Sequence, residues 1–273
     1  MSEFTNNAEQ RAEELANYMM GLLQGENGLQ LIEKHALKTS RFIPNDIVNA
    51  FDILMDKQVS IEDLKFVSNK LFNILYQTIL EYPALTPATG SILEIYTQDN
   101  EKALANLKDM REHIKAINKK LDSIHIQALT EKLIAFEHFF LHYTVIENVV
   151  FPVLETKWKH HQCVKIMWSF HDDIRRNVRK LIEILETPEI DLQEFNATCG
   201  LVFFNVNTII LREEKIIFPM LLETLTNEEF ADMLEQTIGI GLPFAELKQP
   251  ELNSKNLTFS TDDKIHLPTG VLT

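Results

Sequence analysis

Glu147-Asn-Val-Val-Phe-Pro152 and Glu214-Lys-Ile-Ile-Phe-Pro219 are two copies of one phrase. Each closes a long run of helical periodicity, and each leads into another amphipathic turn, Val153-Leu-Glu155 after the first and Met220-Leu-Leu-Glu223 after the second. The copies stand about one antiparallel helix pair apart. A repeated helix end at that spacing predicts a four-helix bundle made of two similar hairpins.

Working outward, four amphipathic patterns cover about 91–121, 127–158, 162–185 and 192–225. The short connections Leu121-Asp-Ser-Ile-His125 and Thr187-Pro-Glu-Ile-Asp191 make neighbouring helices antiparallel. Pro152 and Pro219 fall inside the second and fourth patterns, where each deletes a backbone donor and predicts a kink. Upstream, residues 6–24 read as a helix that stops at Gly25, and Asn27 caps a short one reaching about Leu37. Pro44 opens a third, running on through Asp46–Met55. Ser60 caps a fourth, which continues to Leu80. Two prolines and a glycine in Tyr82-Pro-Ala-Leu-Thr-Pro-Ala-Thr-Gly90 mark a linker. The expected fold is all-α: a smaller helical domain over 1–82, a linker over 83–90, an antiparallel four-helix bundle over 91–238 and a tail over 239–273. The tail has loop composition, and Pro268-Thr-Gly-Val-Leu-Thr273 reads as the approach to a further element.

Composition narrows the function. Only 8 glycines and 9 prolines favour helices over a turn-rich β-fold, and a net charge of −14 argues against nucleic acid or an anionic membrane as partner. Two cysteines make neither a disulfide framework nor a four-thiolate zinc site. They read as one core and one half-exposed thiol in a reducing cytoplasm. Residues 1–17 lack a basic-then-apolar signal, and the most apolar stretch, Gly200–Leu211, falls short of the roughly 20 residues that span a bilayer. The expectation is a soluble cytoplasmic protein.

The residues able to do chemistry cluster near the repeats. His138 and His142 sit one turn apart on one helix face, His171 lies on the third helix, and Glu213 precedes the second phrase. Imidazole and carboxylate together inside a bundle suit iron, manganese or zinc. A lone helical histidine is more often a core or surface residue, as His125, His160 and His161 are expected to be. His142, His171 and Glu213, by contrast, come from three different helices at matching depth.

The segments His142-Tyr-Thr-Val-Ile-Glu-Asn-Val-Val-Phe-Pro152, Met167-Trp-Ser-Phe-His-Asp-Asp173 and Glu213-Glu-Lys-Ile-Ile-Phe-Pro219 resemble the second, third and fourth helices of hemerythrin-type (HHE cation-binding) domains. That resemblance implies a non-haem iron centre, with His142, His171 and Glu213 as metal ligands and Glu147, Glu94 or His113 as supplements. Ile146 and Ile209 stand where the family has a glutamate and a histidine. The first bundle helix offers Glu94 or His113, but these lie about 28 Å apart along a straight helix, so only one can serve. Ile61-Glu-Asp-Leu-Lys-Phe-Val-Ser-Asn69 is similar to an uncharacterised helical domain that precedes such bundles, and a PAS domain commonly follows them. The implied function is an iron-dependent sensor or stress-response module for oxygen, nitric oxide or redox state. Its expected partners are a small diatomic ligand and a PAS domain or other protein. Two alternatives stand beside it: haem held between two histidines, and a metal-free bundle serving as a protein-interaction domain. There is no glycine-rich phosphate loop and no Ser–His–Asp arrangement to suggest an enzyme.

Overall fold

A computed structural model describes residues 3–83, 85–159, 161–244, 266–267 and 270–271. Helices α1 (Glu3–Leu23), α2 (Gly28–Lys34), α3 (Pro44–Asp56) and α4 (Ile61–Leu80) form the N-terminal unit. Their starts follow local chemistry. Asn27 Oδ1 accepts from the Leu29 and Gln30 amides, Pro44 occupies the first turn of α3, and Ser60 Oγ accepts from Asp63 N. The unit closes around Leu15, Tyr18, Met19, Leu54, Leu64 and Leu71, all buried.

The bundle begins with α5 (Ile92–Lys119), capped by Ser91 Oγ on Glu94 N. Its second helix is continuous in direction but compound in winding. It consists of α6 (Ser123–Phe136), a 3₁₀ turn (Glu137–Phe139), α7 (Phe140–Val145), a π turn (Ile146–Val150) and α8 (Phe151–Lys157). The third is α9 (Val164–Glu186). The fourth is α10 (Leu192–Arg212), a π turn (Glu213–Ile217) and α11 (Phe218–Thr224). Both copies of the repeated phrase are therefore π turns that restart as an α-helix at Phe-Pro. In a regular helix Pro152 and Pro219 would clash with the carbonyls of Asn148 and Lys215. The wider π winding over those residues accommodates the ring, where the sequence suggested a plain kink.

The final helix, α12 (Asn227–Ile240), packs over α5 and α7 and had no counterpart in the sequence reading. It opens on a capping box between Thr226 and Glu229, is anchored by buried Met233, and joins α5 through Tyr96 Oη and Thr237 Oγ1 at 2.6 Å. Beyond it the described residues include one antiparallel pair, His266–Leu267 with Gly270–Val271. The rest of the expected tail, including Pro268, Thr269, Leu272 and Thr273 of the PAS approach, lies outside the described residues, as does His160.

The N-terminal unit is packed on the bundle, and the two share one hydrophobic core. Lys65 Nζ donates to Asp173 Oδ2 (2.7 Å), Gln162 N to Asp52 Oδ1 (3.0 Å), and Arg212 Nη2 to Ser68 Oγ and Asn69 Oδ1 (3.0 and 2.8 Å). Two expectations change. Cys163 and Cys199 are both buried, and burial pushes each thiol up to about 12. The apolar stretch of the fourth helix extends over Leu192–Thr224, long and apolar enough by length and composition to cross a membrane. That stretch also carries Arg212 and Glu213 in the core.

Candidate metal centre

Four bundle helices direct polar side chains to one buried region. The second contributes His142 from α7, the third His171 from α9 and the fourth Glu213 from the start of its π turn, all fully buried. The first contributes Asp99 and Asn100, which the sequence reading missed. These two occupy the inward stripe of α5 that otherwise reads Ile92, Leu93, Tyr96, Ala103, Leu107 and Met110. Adjacent polar residues at core positions of an apolar stripe were the clue in the sequence.

Glu213 is the hub. His142 Nε2 donates to its Oε2 at 3.1 Å, Asn100 Nδ2 donates to the same oxygen at 3.1 Å, and His171 Nε2 lies 3.8 Å from Oε1. Burial alone would raise the Glu213 carboxyl, but the His142 and His171 imidazoles outweigh it and hold the group down at about 2. Burial likewise opposes the charged form of His142, yet Glu213 and Asp99 lift it to about 9. Asp99 Oδ2 stands 3.9 Å from His142 Nδ1, beyond hydrogen-bond range, and neither Asp99 oxygen has a hydrogen-bond partner.

Glu147, a candidate supplementary ligand, is engaged by His171 and Arg175. Its oxygens accept from Arg175 Nη1 and Nη2 at 2.8 and 2.9 Å, and Oε1 also accepts from His171 Nδ1 at 2.8 Å. Burial works against the Glu147 carboxylate, and His171 with Arg175 reverses the balance and lowers it. Because the carboxylate is only an acceptor, Nδ1 of His171 carries the proton, and in the neutral ring Nε2 turns a lone pair toward the core. The rings of Tyr143 and Phe151 stack on His171 at 4.3 and 5.8 Å and hold that orientation, as Phe139 does for His142 at 5.1 Å. A carboxylate fixing the outer nitrogen of an imidazole is the support that metal-ligating histidines receive.

The remaining candidates stand elsewhere. Glu94 is at the first turn of α5, where its carboxylate accepts from Gly90 N and completes the helix cap. His113 pairs with His125, Nδ1 to Nδ1 at 3.2 Å, at the far end of α5. His138 is exposed and faces Phe244, so it does not share a face with His142. The 3₁₀ turn explains this, because each of its residues advances about 120° rather than 100° and rotates His138 out of register.

Unpartnered atoms test the fit to a metal ion. Asp99 Oδ1 and Oδ2, Asn100 Oδ1, His142 Nδ1, Tyr143 Oη, His171 Nε2 and Glu213 Oε1 are all buried without a hydrogen-bond partner. Such a concentration is costly in a dry core unless a cation, protons or water complete it. Two imidazoles and two carboxylates are a donor set that suits a divalent transition metal. Among the described residues no three His, Cys, Asp or Glu side chains are yet drawn together as a ligand set, because Glu213 closes on His142 and Glu147 on His171. Ile146 and Ile209, both fully buried, add no donor atoms to the centre.

Residues 91–221 match the sequence model of the hemerythrin HHE cation binding domain. No curated protein matches the chain.

Proposed function

We propose, from the match of residues 91–221 to the hemerythrin HHE cation binding domain, that the bundle holds a single iron ion and acts as a cytoplasmic sensor or stress-response module for oxygen, nitric oxide or redox state. The observation that carries the reading is the buried group of unpartnered donors from four helices around Glu213. His142, His171, Glu213 and Asp99 would hold the ion, Glu147 with Arg175 would orient His171, and Asn100 would steady Glu213. Iron bound there supplies reversible one-electron chemistry and an open position for a small diatomic ligand. The chain's own part is to keep water out with Phe139, Tyr143 and Phe151 and to keep a lone pair of His171 directed inward.

A route for output exists in the packing. Arg212 adjoins Glu213 in sequence, lies against Phe170 beside His171, and is anchored on Ser68 and Asn69 of α4. A change in how Glu213 or His171 is held therefore acts on the N-terminal unit, the surface from which a protein partner or following domain would read it.

Haem suits this geometry poorly. Glu213 stands between the two imidazoles, at 3.1 and 3.8 Å, where a porphyrin would have to lie. A metal-free bundle is favoured by the closed pairs His142–Glu213 and His171–Glu147. The deciding experiment is metal analysis and absorption spectroscopy of protein purified without oxygen, before and after air. Near-stoichiometric iron, lost in His142→Ala, supports the proposal. Protein that takes up no Fe(II), Mn(II) or Zn(II) on loading overturns it in favour of the interaction module.

A further inference from the structure

Arg212 carries a charge that no carboxylate answers. Its side chain is 4% exposed and lies between the Phe72 and Phe170 rings, 4.5 and 4.4 Å from their centroids. Nη2 is satisfied by two neutral acceptors, Ser68 Oγ and Asn69 Oδ1. Nε and Nη1 have no acceptor at all. The acids around it are turned to other groups: Glu213 to His142 and Asn100, Asp173 to Lys65 and Arg176, and Asp52 to the Gln162 amide. Arg212 also lines a cavity of about 40 Å³ between the N-terminal unit and the bundle, walled otherwise by residues such as Val48, Phe51, Met167, Ile216 and Ser68.

We propose that this cavity is a binding site for a small monovalent anion, of the size and chemistry of formate or nitrite, seated on the free Nε and Nη1 donors of Arg212. The argument is one of charge, shape and size. A buried guanidinium without a counter-ion is strongly unfavourable, and hydrogen bonds from it to an anion are among the strongest a protein makes. The two rings fix its plane, so its donors are organised before the ligand arrives. A volume of about 40 Å³ exceeds the roughly 10–15 Å³ that a single water needs and leaves room for a three-atom oxyanion. The apolar walls offer nothing to a second negative charge. The site is separate from the metal ligands and does not depend on metal being bound. It occupies the seam between the two units, beside the chain neighbours of Glu213 and His171.

The test is calorimetric titration of sodium formate, then sodium nitrite, into the full chain stripped of metal by chelation. Ionic strength is held constant with gluconate, a much bulkier anion than formate or nitrite. Stripping removes ligation by iron as a source of heat. One-site saturable binding is expected, at least about tenfold weaker in Arg212→Met. Val48→Phe keeps the guanidinium but fills the cavity, and it too must abolish binding, which decides the matter if Arg212→Met does not fold. No saturable binding in the wild-type chain overturns the proposal and leaves the cavity to water. Binding that survives Val48→Phe places the anion elsewhere and overturns it equally.

Discussion

Replacing Glu213 by Gln removes one charge and almost no volume, and it should destabilise the metal-free protein in a pH-dependent way. His142 is lifted from 6.5 to about 9 although it is wholly buried, and after burial itself the Glu213 charge is the largest influence on it. At 1.36 kcal/mol per tenfold, the whole rise corresponds to about 3 kcal/mol in favour of the charged imidazole. Asp99 supplies part of it, so Glu213→Gln should cost about 2–3 kcal/mol, near the usual cost of breaking a buried pair. Because the folded value of His142 is raised, this stability is fully present below about 6.5 and is lost as pH rises through about 9. Because the folded value of Glu213 is lowered to about 2, its contribution is present above about 4.5 and lost as pH falls through about 2. The pair is thus at full strength between about pH 4.5 and 6.5. Urea unfolding with chelator at about pH 6 should show the full deficit. At about pH 9.5 the deficit should vanish or reverse, since the wild type then buries a carboxylate beside a neutral His142 ring. Equal deficits at both pH values would refute the charge-pair account.

Asp99→Asn should weaken Fe(II) binding by at least about tenfold while changing metal-free stability by no more than about 1 kcal/mol. Relief of an unpartnered carboxylate and loss of its support for His142 oppose each other there, and metal content with denaturant melts checks both. Glu94→Ala and His113→Ala should leave bound metal unchanged. The first should cost about 1 kcal/mol of stability as its helix cap weakens, and metal loss in either variant would restore that residue to the site. Metal affinity, measured by competition with a chromogenic chelator, should rise up to about tenfold per pH unit between about 6.5 and 9, as the ion displaces the His142 proton. A flat profile would remove His142 from the ligand set.

Much of this was legible because it is local. Ser60, Ser91 and Asp191 mark helix starts through hydrogen bonds to amides two or three residues on, so the sequence places those starts to within a residue or two. The convergence of His142, His171 and Glu213 followed from the repeated phrase and the antiparallel order of helices. Glu94 and His113 stand apart from that cluster, and only depth along α5 distinguishes a cap residue, a core residue and a residue at the far end. That depth is fixed by packing against the other helices. Asp99 and Asn100 were visible as polar breaks in an apolar stripe but acquire meaning only from what faces them.

The sequence by itself determined an all-α chain, a bundle with a smaller helical unit before it, and three buried polar side chains on three helices, because periodicity and capping act over single turns. The tertiary structure alone decided that the phrases wind as π turns, that a 3₁₀ turn swings His138 away, and that Glu147 holds both His171 and Arg175. It also decided that Arg212 is enclosed between two units far apart in the chain. Those outcomes depend on which surfaces meet across the core, where removing apolar groups from water fixes the packing and each buried charge must take what partners the meeting surfaces supply.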